Sequence, residues 1–137
     1  MTDEYQEYLF VERFLKSESK TRPETEWTDQ MKAFLIEKIK NRKAGNNLDY
    51  VDLSDSDLTG MYLSGFSFAH ANLVNTNRAN ANLANANLEG STLELRAIRD
   101  ANLSKANLKA VKFVNTELKM TSNSNFRIAY WTIKITY

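Results

Sequence analysis

Counted from Leu48, every fifth residue of this chain is a large apolar one. The series runs Leu48, Leu53, Leu58, Leu63, Phe68 and Leu73, then Leu83, Leu88, Leu93, Ile98, Leu103, Leu108, Phe113 and Leu118, and ends with Ile128 and Ile133. Only Arg78 and Asn123 interrupt it. Two residues before each centre the side chain is mostly small, as at Ser56, Ala71, Thr76, Ala81, Ala86, Ser91, Ala101, Ala106, Thr116 and Thr121. Immediately before the centre it is most often Asn, as at Asn72, Asn77, Asn82, Asn87, Asn102 and Asn107. A period of five fits neither a helix, which repeats about every 3.6 residues, nor a flat strand, which repeats about every 2.0. It requires a chain that turns a corner every five residues with one large and one small side chain pointing inward. Such a chain is a solenoid.

Written in fives, the segments Ala71-Asn-Leu-Val-Asn75, Ala81-Asn-Leu-Ala-Asn85, Ala86-Asn-Leu-Glu-Gly90, Ala101-Asn-Leu-Ser-Lys105 and Ala106-Asn-Leu-Lys-Ala110 align with one another. They resemble the pentapeptide-repeat family, whose consensus reads Ala-(Asn/Asp)-Leu-X-X. The resemblance implies an all-β solenoid, a right-handed quadrilateral parallel β-helix preceded here by a short N-terminal α-helical segment. Four repeats make one coil, so residues twenty apart stack, at an inter-strand spacing of about 4.8 Å. The organisation expected is a helical segment over 1–45, a repeat β-helix over 46–125, and a last coil or C-terminal strand over 126–137.

The first 45 residues do not repeat. Tyr5, Tyr8, Leu9, Val11, Phe14 and Leu15 give the stretch Asp3 to Lys16 the wide apolar face of a short helix. Ser17 to Thr25 holds the only proline, Pro23, and reads as a linker. Thr25 or Thr28 can cap a second helix presenting Trp27, Met31, Phe34, Leu35 and Ile39 and stopping near Gly45. An open solenoid end exposes unpaired backbone and core side chains, so these helices are expected to cover the end near Leu48 and Leu53. A free-standing partner-binding hairpin is the alternative.

The structural core expected from the register is Leu53, Leu58, Leu63, Phe68, Leu73, Leu83, Leu88, Leu93, Ile98, Leu103, Leu108, Phe113 and Leu118. Arg78 occupies a centre and Arg96 a small-residue slot in the next coil. A charge in a dry core costs several kcal/mol unless paired. A bulge turning these arginines outward, a pairing with Glu94 or Asp100, and a docking site are the three readings. The stretch Leu95 to Asp100, with Arg99, is the least repeat-like part of the solenoid. At the C-terminal end Trp131, Ile133, Ile135 and Tyr137 largely alternate with polar residues. This segment either closes the last coil or meets its copy in a homodimer. Arg78, Arg96, Arg99 and these four residues are the expected interaction positions.

Chemistry is scarce. His70, the only histidine, falls on an outward corner, and no cysteine is present, so no thiol or cysteine metal site exists. Asp55, Asp57 and Gly60 begin a calcium-loop pattern, but its closing position is Phe66 where a bidentate Glu is required. The Asn row suits side chains that satisfy local backbone at corners. No catalytic, cofactor-binding or metal residues are assigned, and the chain is read as a non-enzyme with no cofactor. With 18 basic and 17 acidic residues the formal net charge is +1, which offers no field for direct nucleic acid or membrane binding. The leading Met-Thr-Asp-Glu is acidic and the first apolar run is short, so a soluble cytoplasmic protein is expected. The function expected is a non-catalytic interaction module that presents a rigid rod to a protein partner. The resemblance adds an alternative, a DNA mimic that binds DNA gyrase, although a near-neutral charge and few coils argue against it. A third reading is a regulatory adaptor that recognises its partner through the N-terminal helices.

Overall fold

The computed structural model describes residues 3–23, 25–76, 81–94 and 101–114. Helix α1 spans Asp3–Lys16 and helix α2 spans Asp29–Lys40. Thr28 starts α2: its side chain accepts a hydrogen bond from the Met31 amide at 3.2 Å, which satisfies one of the donors a helix start leaves free. α2 carries Lys32, Leu35 and Ile39 on one buried face, at the spacing of successive helical turns. Its other side meets α1. Phe34 stands edge-on to Tyr8 with centroids 5.4 Å apart, and Lys38 pairs with Glu12. Phe10 and Phe14 close the base of the hairpin on Trp27, at 5.5 and 5.0 Å, both edge-to-face.

Three local expectations are corrected. α2 ends at Lys40, not near Gly45, because Arg42 takes up the left-handed conformation at φ 57° and breaks the helix first. Trp27 precedes the helix rather than lying on it. The stretch after α1 is no free linker: it forms a short 3-10 turn, Ser19–Thr21, and is pinned to the coils by Arg22, which is buried.

Among the described residues from Asn46 to Val114, segments twenty residues apart lie side by side as successive coils. Parallel bridges join Asn47 to Ser67, Ser67 to Asn87 and Asn87 to Asn107 on one side, and Asp52 to Asn72 and Asn72 to Thr92 on the next. A third series joins Tyr62 to Asn82 and Asn82 to Asn102. Most sides are single bridges between turns. The only longer pairing among the described residues is β1, Thr92–Glu94, parallel to β2, Lys112–Val114.

Each corner is a tight turn. The amide three residues after the centre bonds the centre's carbonyl, as in Val51 to Leu48, Ser56 to Leu53, Ala71 to Phe68 and Ala86 to Leu83. The residue two after the centre has positive φ, from Tyr50 at 65° through His70 at 59° to Ala110 at 56°. That is the requirement of the third residue of a type II turn, which Gly, Asn and Asp meet most cheaply. The residue before the centre locks the same corner. The Oδ1 of Asn72, Asn82, Asn87, Asn102 and Asn107 accepts the amide two residues on, at 3.0–3.1 Å. Asp52 and Asp57 do the same for Ser54 and Thr59 at 2.9 Å. The repeat thus folds locally: large residue in, turn residue out, and an amide or carboxylate fastening the bend.

The centres stack in columns inside. Leu53, Leu58, Leu63, Phe68, Leu73, Leu83, Leu88, Leu93, Leu103 and Leu108 are buried, and Phe113 is partly buried. Val11, Phe14, Trp27, Leu35 and Ile39 of the helical segment belong to the same apolar cluster as Leu48 and the coils.

Candidate functional site

A stack of parallel coils has an edge wherever a coil has no neighbour. In the interior, the Ser67 and Ala69 carbonyls accept from the Leu48 and Tyr50 amides of the preceding coil, at 2.7 and 2.9 Å. The equivalent carbonyls one coil earlier, twenty residues back, belong to Asn47 and Asp49, and no coil precedes them. Arg22 supplies the donors. Its Nη2 donates to the Asn47 carbonyl at 3.0 Å, and its Nη1 to the Asp49 carbonyl at 2.7 Å and to Asn47 Oδ1 at 3.2 Å. The guanidinium lies 4.5 Å from the Phe14 ring centroid. Burial lowers the Arg22 pKa and the Asp49 carboxylate opposes that shift; an arginine keeps its charge throughout.

The second side is treated alike. Within the stack the Val74 carbonyl accepts from Asp55 N at 3.0 Å. Its equivalent in the first coil is the Ser54 carbonyl, and Lys32 Nζ donates to it at 3.0 Å. The same ammonium donates to Ser54 Oγ at 3.0 Å and lies 3.8 Å from Asp52. Two cations of the helical segment therefore stand where the amides of a further coil would be.

The remaining sides of that edge open onto a cleft of about 700 Å³ between the end of α2 and the first coil. Ile39, Met61 and Phe66 form its apolar wall, with Thr59, Gly60 and Tyr62 along the coil and Lys40 and Arg42 at the helix end. Tyr62 is 67 % exposed. Lys40 and Arg42 are exposed and enter no ion pair among the described residues. On the coil below, the pKa of Asp57 is lowered first by the Thr59 side chain and amide and last by Lys40.

On a corner, the rings of Tyr50 and His70 stack with centroids 5.0 Å apart, and His70 overhangs Gly90. Both rings are exposed and border a smaller hollow of about 190 Å³ with Pro23, Trp27 and Val51.

Of the residues expected to mediate interaction, Arg78, Arg96, Arg99, Trp131, Ile133, Ile135 and Tyr137 all lie outside the described residues, as do the expected core positions Ile98 and Leu118. The first-coil aspartates are internally engaged. Asp49 accepts from Ser19 at 2.8 Å, from the Ala69 amide at 2.9 Å and from Ser67, and Asp55 accepts from Asn75 at 2.8 Å. Sequence reasoning missed Arg22, Lys32 and the Tyr62 edge. A signal was present for Lys32 alone: a long cation placed among the apolar residues Met31, Ala33, Phe34 and Leu35 of α2. Among the described residues no group of three or more potential metal ligands comes together, and no helix is long and apolar enough to cross a membrane.

Fold and edge together define a class of protein, a solenoid built on a five-residue repeat whose first coil shares its core with two helices. Residues 51–90 match the family model for Pentapeptide repeats in eight copies, so this part of the chain is a pentapeptide-repeat segment, and with its stacked parallel bridges it is a β-helix solenoid. No curated protein matches the chain. Among solved structures, a pentapeptide repeat protein from Nostoc Pcc 7120 is 29 % identical over 59 % of this chain and 74 % of its own, with a TM-score of 0.28.

Proposed function

We propose that this chain is a non-catalytic protein-interaction module, a right-handed, four-sided β-helix that offers a fixed surface to a protein partner. The observation that carries the reading is the ladder. Amides and carbonyls at successive corners are committed from coil to coil, as in Leu63 to Asn82, Leu83 to Asn102 and Leu88 to Asn107. Side chains on such corners stand at fixed spacings of about 4.8 Å and lose little freedom on binding, which favours recognition by shape. The helices share one core with the first coil, which supports a cap rather than a free hairpin.

Cross-linking of the tagged full chain in cells, with the linked peptides mapped, tests this. The expected result is one recurrent protein partner whose links fall on outward residues of the coils. Links confined to α1 and α2 would favour the adaptor reading, and absence of any recurrent partner would overturn the proposal. Inhibition of DNA gyrase supercoiling by micromolar protein would replace it with the DNA-mimic reading. The internally bonded first-coil aspartates point to no inhibition.

A further inference from the structure

The first coil's edge is closed on two sides and open at Tyr62 and Ser64, and that opening coincides with the cleft. Arg22 and Lys32 claim the Asn47, Asp49 and Ser54 carbonyls. The corresponding groups farther along are the Tyr62 and Ser64 carbonyls. One coil later their equivalents, Asn82 O and Ala84 O, accept from Leu63 N and Gly65 N at 2.8 and 3.0 Å. The Asn82 amide in turn donates to the Met61 carbonyl at 2.9 Å, so the equivalent Tyr62 amide also faces outward along the stack. Among the described residues nothing bonds the Tyr62 amide, the Tyr62 carbonyl or the Ser64 carbonyl. Exposure follows the same division. Asn47, Asp49, Asp52 and Ser54 are half-buried beneath the helical segment, whereas Asp57, Thr59 and Tyr62 are exposed and Ser64 is half-buried.

We infer that this edge is a docking site for an extended, acidic segment of a partner protein, added as one more parallel strand. This deepens the interaction-module reading and rests on it. Two amides two residues apart on the segment would donate to the Tyr62 and Ser64 carbonyls, and the carbonyl of the residue two positions before the first of them would accept from the Tyr62 amide, as Met61, Leu63 and Gly65 do for the next coil. Side chains of an added strand alternate, so every second one meets the apolar wall of Ile39, Met61 and Phe66. The acidic preference comes from Lys40 and Arg42, which line the same cleft, are exposed and enter no ion pair among the described residues. A basic segment would meet two like charges there, whereas an acidic one is both attracted and oriented.

The test uses the full chain and a fluorescein-labelled octapeptide of alternating Val and Glu. Saturable binding is expected by anisotropy, accompanied by a shift of the Tyr62 amide resonance. The Val/Lys peptide should bind at least about tenfold more weakly. So should the Val/Glu peptide N-methylated at alternate amides, which keeps its charges and loses its strand donors. The double variant K40E/R42E should weaken the Val/Glu peptide by about tenfold or more and raise affinity for the Val/Lys peptide. Both substituted residues are exposed, and unchanged circular dichroism and tryptophan emission check that the variant is folded. Should that variant unfold, the N-methylated peptide still decides the matter on the unaltered chain. Equal binding of parent and N-methylated peptides, equal binding of acidic and basic peptides, or no binding at all would each overturn the inference. A cross-linked partner that binds K40E/R42E as well as the parent would remove this site and leave the interaction-module reading standing.

Discussion

Replacing Arg22 tests whether a side chain can stand in for a missing coil. Arg22→Met keeps an apolar stem beside Phe14 and removes the two charge-assisted bonds to the Asn47 and Asp49 carbonyls. Each such bond contributes about 1.5–3 kcal/mol, and stranding a buried acceptor costs about 1–3 kcal/mol. Against this stands the desolvation that burial of the guanidinium had already cost, which Met does not incur. The net expectation is a loss of about 2–4 kcal/mol. Arg22→Lys is the informative companion. An ammonium is a single point and cannot bridge both carbonyls as the guanidinium fork does, so the loss should be about half as large. Urea unfolding followed by tryptophan emission and by circular dichroism measures both. Hydrogen exchange adds a local reading, because fraying of the first coil should deprotect the Leu48 and Tyr50 amides before Leu83 and Leu88. A loss within about 0.5 kcal/mol for Arg22→Met, the usual range for a surface change, would refute the reasoning. So would an Arg22→Lys variant as unstable as Arg22→Met.

Gly90 has φ 69°, and a methyl group there would lie 2.5 Å from His70 Nδ1. Gly90→Ala should cost about 1–3 kcal/mol, and a His70→Ala background should recover the part due to overlap while leaving the backbone part, as thermal melts of the four proteins would show. Leu83 is 2 % exposed between Leu63 and Leu103, so Leu83→Ala should cost about 2–5 kcal/mol by chemical denaturation, whereas Tyr62→Ala should stay within about 0.5 kcal/mol. Glu12 has its pKa lowered below its ordinary 4.5, chiefly by its hydrogen bond from Lys38. Its stabilising contribution is therefore present above about pH 4.5 and is lost as pH falls through the lowered folded value. Glu12→Gln should flatten this acid limb in melts across pH 3–6 and change little where Glu12 is protonated in both states.

What the sequence discloses and what it hides divide along the range of the interactions. The corner is local: centre, Asn before it and turn residue after it lie within five positions, so the period appears in the letters alone. The left-handed position is less legible: Asp55, Gly60, Gly65, Asn75, Asn85 and Gly90 suit it, but Tyr50, His70, Lys105 and Ala110 occupy it as well. The helix ends were legible only in part. Thr28 announces the start of α2, but Arg42 rather than Gly45 leaves the helical region first, between Ile39 and Ala44, which are both buried in the core. Arg22 lies 25 residues from Asn47, and nothing in the surrounding Lys-Thr-Arg-Pro sequence says that its guanidinium will meet two carbonyls. The Tyr62 edge is harder still, since it is defined by where α2 stops short of the coil.

The two cations of the cap also explain why one side of the edge is closed to strand addition while another is left available. An open parallel edge presents carbonyls and amides in alternation, and a further strand would satisfy both. Arg and Lys donate and cannot accept, so they satisfy the carbonyls alone and end the stack without offering a new edge of their own. At Asn47 and Ser54 the cations lie on the carbonyls, and a second chain would have to displace a buried charge to pair there. At Tyr62 the cations that line the cleft, Lys40 and Arg42, make no hydrogen bond to the coil backbone among the described residues. A cation on the edge excludes a strand, whereas one set back from it selects the strand's charge. The same residue types therefore terminate the solenoid on one side and make it selective on the other, and only their distance from the backbone distinguishes the roles.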